Sequence, residues 1–157
     1  MVLQVVAAAV LVVFLWSLFR FAMGLRWAKL SREAARGAEQ AQGRRVVAEI
    51  PQHDGLLLFL EDAAGYAWGV ERAEKAAIVG ARALLNGGVI ASFARPGVPL
   101  PAPPAPEAYA GQERWDVLIY VEGGGGLAVP CGTLREGVSR EIALGVFDAV
   151  RRCVSAA

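Results

Sequence analysis

An uncharged run at the start of the chain constrains everything that follows. From Met1 to Phe19 (MVLQVVAAAVLVVFLWSLF) the only polar side chains are Gln4 and Ser17. As a helix rising about 1.5 Å per residue, such a run is close to 30 Å long, the thickness of a bilayer's hydrocarbon core. A cleavable signal peptide needs a basic leader, a shorter apolar core and a small-residue cleavage site. Here no Lys or Arg precedes the run, and Trp16, Leu18, Phe19, Phe21 and Met23 crowd its end. The stretch 1–25 therefore reads as a retained transmembrane anchor. Leu3, Val10, Phe14 and Phe19 face lipid, Trp16 and Trp27 suit the interface, and Arg20 can snorkel to the headgroups.

The flanks set an expected orientation. Arg20, Arg26, Lys29, Arg32 and Arg36 follow the span, and none of their kind precedes it. Positive charge stays in the cytoplasm, so the N-terminus is expected outside and the C-terminal part in the cytoplasm of a single-pass protein of the cell's inner membrane. An assembly subunit of the pilin kind also begins with an apolar helix running into a sheet. The basic juxtamembrane cluster, and the lack of an acidic residue early in the apolar stretch, set this chain apart from it.

Residues 26–43 (RWAKLSREAARGAEQAQG) are rich in helix formers and read as a juxtamembrane stalk that Gly43 ends. Lys29 and Glu33 form an i,i+4 pair of opposite charge. Trp27, Leu30, Ala34, Ala38 and Ala41 make a thin stripe, a candidate seam for homo-oligomers, although alanines bury little area.

Residues 44–157 leave room for one modest α+β domain. Arg45–Ile50 alternates as a strand that Pro51 stops, and Leu56–Glu61 and Tyr66–Val70 read as a hairpin. Glu71–Leu85 (ERAEKAAIVGARALL) has helix-forming composition and a small-residue face of Ala73, Ala76, Ala77, Gly80, Ala81 and Leu84, with Asn86-Gly87-Gly88 as its C-terminal cap. Val89–Phe93 and Trp115–Glu122 read as strands, the latter central because both faces are apolar. After a glycine turn, Leu127–Cys131 returns as an edge strand containing Pro130. Thr133-Leu134-Arg135-Glu136 resembles a capping box that starts an amphipathic helix bearing Leu134, Val138, Ile142, Val146, Val150 and Val154, with Phe147 adjacent. The expected domain is a small antiparallel sheet of five or six strands flanked by two helices.

Between Ala94 and Arg114 the pattern breaks, and six of the eight prolines fall in PGVPLPAPPAP. Such a loop favours extended polyproline conformation, and Pro99, Pro101, Pro103, Pro104 and Pro106, with Tyr109, are the candidate partner-binding residues.

Chemistry-bearing residues are sparse. A formal charge of +1 offers no electrostatic footprint for nucleic acid. One histidine, His53, and two cysteines, Cys131 and Cys153, carry no metal spacing, and no cofactor fingerprint is present. Cys131, between a strand and a helix start, is the best candidate nucleophile, although a small buried hydrophobe is the plainer reading. A ligand pocket near Trp68, Tyr120 and the glycine turn is a further expectation. The reading that follows is a non-enzymatic, membrane-anchored accessory subunit or adaptor that contacts the bilayer and protein partners, with a ligand-binding sensor or a pilin-like subunit as alternatives.

Overall fold

The structure, a computed structural model, describes residues 2–53, 55–103, 105, 113–132 and 138–155. It comprises two compact units, Met1–Gln42 and Gly43–Ala157. The first is one helix, α1 (Val2–Ala41), so the apolar run and the stretch after it are helical without a break. Gly43, at φ 76°, takes the left-handed conformation that ends a helix at little cost.

The second unit runs β1 (Arg45–Gln52), β2 (Gly55–Glu61), β3 (Gly65–Trp68), β4 (Glu71–Glu74), a single 3-10 turn (Lys75–Ala77), β5 (Ile78–Leu85), β6 (Gly88–Ala94), β7 (Trp115–Val121), β8 (Gly126–Gly132) and α2 (Val138–Ser155). The strands form two four-stranded antiparallel sheets, ordered β1-β2-β3-β4 and β6-β5-β7-β8. The chain is thus α+β, with more strands than expected and in two sheets. The expected helix over Glu71–Leu85 does not form, so α2 alone, among the described residues of this unit, exceeds a single helical turn.

The physical reason lies in packing. β5 sits between β6 and β7 and lies against α2. Ala81 and Ala83 on it are fully buried, so a face of small side chains serves close approach, but as the strand beneath a helix. Asn86-Gly87 caps no helix either. With φ of 50° and 78° the two residues form the tight turn of the β5–β6 hairpin, flanked by the Leu85–Gly88 pair. Asn86 then gathers the returning chain: its N–H donates to the Arg114 carbonyl (2.8 Å), and its side-chain oxygen accepts from the Arg114 N–H (2.8 Å).

Other expectations fare differently. The β2–β3 hairpin pairs Leu60 with Ala67 and Glu61 with Tyr66. Pro51 does not stop β1, which continues to Gln52; as the first strand of its sheet, β1 tolerates a residue without N–H. β7 is internal and β8 an edge, as their sequences suggest. The capping box at 133–136 lies outside the described residues.

A single core joins both sheets to α2. Phe59 stacks on Tyr66 (5.3 Å) and tilts against Trp68 (5.4 Å). Val117, Ile119 and Val129 from the second sheet, and Ala143, Val146 and Val150 from α2, complete it at 0% exposure. Three directed bonds fix the layers: Tyr66 Oη donates to the Ala149 carbonyl (2.9 Å), Trp68 Nε1 to that of Ala128 (3.0 Å), and Gln52 Nε2 to that of Pro130 (3.2 Å).

Candidate functional site

Among the described residues, α1 is the one helix long and apolar enough to cross a membrane, and none of its apolar window is buried within the chain. Val10, Phe14, Trp16, Phe19 and Trp27 are each 57–66% exposed, and Leu3 and Arg20 lie on the same helix. Ser17, the polar exception, donates its hydroxyl to the Val13 carbonyl (2.9 Å), so it presents no unsatisfied donor to an apolar surrounding. Lys29 and Glu33 pair at 3.8 Å further along.

The proline segment begins as a docked strap. Where β6 ends, the Arg95 N–H donates to the Val79 carbonyl (2.7 Å), and its guanidinium reaches the carbonyls of Ala76 (3.1 Å) and Ile78 (2.8 Å) and the Glu122 carboxylate (3.0 Å). After a turn at Gly97, Leu100 comes to lie over Gly80, and Arg82 Nη1 donates to the Pro101 carbonyl (2.6 Å). Arg82 is itself seated 5.2 Å from the centre of the Tyr120 ring and bonded to its hydroxyl (3.0 Å). The segment is therefore held by Arg95 at its start and by Leu100 and the Pro101 carbonyl further on, while Pro99, Pro101 and Pro103 stay exposed. Pro104, Pro106 and Tyr109 lie outside the described residues.

Arg82 and Arg95 are the residues that sequence reasoning missed. The signal was available only in a strand register. There Arg82, between buried Ala81 and Ala83, emerges on the face away from their side chains.

The other candidates separate cleanly. Cys131 lies within β8 at 0% exposure, its thiol directed at the Val129 carbonyl (3.5 Å). Burial, with the Asp116 charge adding to it, pushes that thiol up to about 12, so the nucleophilic thiolate is absent at neutral pH. His53 sits exposed in the β1–β2 turn. Trp68 and Tyr120 are buried with their polar groups engaged, Trp68 donating to the Ala128 carbonyl of β8 and the Tyr120 hydroxyl accepting from Arg82 of β5. Among the described residues, no three His, Cys, Asp or Glu side chains gather as metal ligands.

A charged cluster lies where β2 meets the 3-10 turn. Glu61 accepts from the Arg45 guanidinium on one side and pairs with Lys75 Nζ (2.9 Å) on the other. Partial burial would raise the Glu61 carboxyl, but the hydrogen bonds from Lys75 and Arg45 outweigh it and hold the group below its usual range. Next to it, the Gly65 N–H and then Arg72 hold Asp62 low. Burial, reinforced by the Glu61 charge, raises the Tyr66 hydroxyl, so it remains a donor. No family model matches this chain, and neither does any curated protein or solved structure.

Proposed function

We propose that the protein is a non-enzymatic, single-pass membrane-anchored accessory subunit or adaptor, with its N-terminus outside and its α+β domain in the cytoplasm, where that domain contacts protein partners. The uncovered apolar surface of α1 carries the reading, because a helix whose described apolar stretch, from Val10 on, is not buried within its own chain is suited to lipid around it. Arg20, Arg26, Lys29, Arg32 and Arg36 supply the orientation. The strap adds a surface of exposed prolines held in place, and the Cys131 thiol has neither the exposure nor the ionisation that thiol catalysis requires.

Two measurements test this. A membrane-impermeant maleimide should fail to label a Pro103→Cys, Cys153→Ser variant in intact cells and label it after lysis; labelling of intact cells would reverse the orientation and favour an assembly subunit of the pilin kind. In gentle detergent the protein should co-purify with a second chain in fixed stoichiometry. Recovery as a lone monomer would remove the adaptor reading.

A further inference from the structure

Beside the last turns of α2 a cavity of about 420 Å³ opens between Arg45, Glu61, Tyr66, Lys75, Arg152 and Cys153. Its cations come from three elements: the first residue of β1, the 3-10 turn and the end of α2. They are poorly balanced. Arg45 and Lys75 share the one carboxylate of Glu61, and Arg152 has no ion-pair partner among the described residues. The C-terminal end of α2 contributes about half a negative charge through the helix dipole. Three positive charges therefore face about one and a half negative ones.

The neighbouring depression shows that this excess is no general property of the helix end. There, in a space of about 730 Å³, Arg95 and Arg151 also line the wall. Each already has its own carboxylate, Glu122 at 3.0 Å and Asp148 at 3.0 Å. Of the two, the first cavity alone keeps unspent positive charge.

We infer that the cavity between Arg45, Lys75 and Arg152 binds a phosphate monoester group, supplied by a lipid headgroup or by a small soluble molecule. A phosphate monoester carries between one and two negative charges at neutral pH, which matches the excess. Guanidinium forks at Arg45 and Arg152 suit its oxygens, and Lys75 supplies a point charge. Lys75 is already held in position, since its Nζ also donates to the Asp62 carbonyl (2.8 Å) and rests 5.6 Å from the centre of the Tyr66 ring. The Tyr66 hydroxyl already donates its hydrogen bond to the Ala149 carbonyl, so the cations and not the phenol make the site. The volume falls within the range of small-molecule pockets, about 300–1,000 Å³. This site is independent of the adaptor reading and survives its failure.

The test uses the full chain in a non-ionic detergent, titrated calorimetrically with glycerol 3-phosphate and, separately, with dihexanoyl phosphatidic acid. Saturable binding of at least one is expected, weakened about tenfold or more by Arg152→Gln, since a hydrogen bond between charged groups is lost. Arg152 is exposed and without an ion pair among the described residues, so the variant should fold as wild type. Arg151→Gln, on the other side of the helix end, should bind within about twofold of wild type. Tighter binding of the phosphatidic acid identifies a lipid headgroup as the source, and tighter binding of glycerol 3-phosphate a soluble monoester. The inference is overturned if neither probe saturates by about 10 mM, or if Arg152→Gln and Arg45→Gln both bind as wild type does.

Discussion

A single methyl group at Gly80 separates the strand from the helix that composition suggests for the same residues. A Cβ there would stand 2.5 Å from the Phe93 carbonyl oxygen, 3.0 Å from Ala94 Cα and 2.9 Å from Leu100 Cδ2. Leu100 can turn aside, but Phe93 and Ala94 are backbone of β6, held in register by the Gly80–Ala94 and Ala81–Phe93 pairs. The two strands must part, and overpacking of this kind costs about 1–3 kcal/mol. For a unit of this size each kcal/mol lowers Tm by about 4 °C, so Gly80→Ala should melt about 4–12 °C below wild type. In a helix the same change would stabilise by about 1 kcal/mol. Gly145 supplies that comparison within the same molecule: it lies on α2, and a Cβ added there would meet nothing within 4 Å, so Gly145→Ala should raise Tm by about 4 °C. Thermal unfolding of the full chain in detergent, followed by near-ultraviolet dichroism of buried Trp68 and Trp115, reads both. A Gly80→Ala protein as stable as wild type, or more so, would refute the packing of β5 against β6.

Thiol accessibility and acid sensitivity follow from the same packing. Iodoacetamide should modify Cys153 in the folded protein and Cys131 only after unfolding; two reactive thiols in the native state would contradict the buried position of Cys131 in β8. Glu61 and Asp62 are both held below their ordinary values of 4.5 and 3.8, so their stabilisation is present above those values and is lost as pH falls through the lower folded ones. Tm should therefore drop below about pH 4.5, and less steeply in Glu61→Gln; equal slopes would mean that the Arg45–Glu61–Lys75 cluster contributes nothing.

What was legible in the sequence was what local pattern alone determines. The uncharged run to Phe19 admits one structure, and Trp115–Val121 and Val138–Ser155 carry periods that no neighbour overrides. Residues 71–85 differ because alanine's preference for helix is worth only tenths of a kcal/mol per residue, less than the packing of β5 between two strands and beneath α2. The decisive local sign was Asn86-Gly87, a tight-turn dipeptide that also suits a helix end. Which meaning holds depends on Leu84–Val89 pairing across the turn, a tertiary fact. The strap shows the same boundary: proline content gives its extended backbone, but not that Leu100 would lie over Gly80 or that Arg82 would take the Pro101 carbonyl. The cationic cavity was equally hidden, since Arg45, Lys75 and Arg152 are far apart in sequence and meet only when β1, the 3-10 turn and α2 come together.

Among the described residues, the buried cluster and the hydrophobic side chains packed against it fall between Val47 and Val154, inside Gly43–Ala157. Stability comes mainly from burial of apolar area, so a unit that encloses its whole core holds its own share. A chain starting at Gly43 should then be water-soluble and unfold cooperatively, with Tm within about 4 °C of the domain transition in the full-length protein, a difference of no more than about 1 kcal/mol. Deleting α1 should instead abolish sedimentation with membranes after alkaline carbonate extraction. If the shortened protein is molten by near-ultraviolet dichroism, the helix lends packing to the domain and the separation of roles fails; if it is folded and still sediments, the domain holds the membrane by itself and α1 is not the anchor.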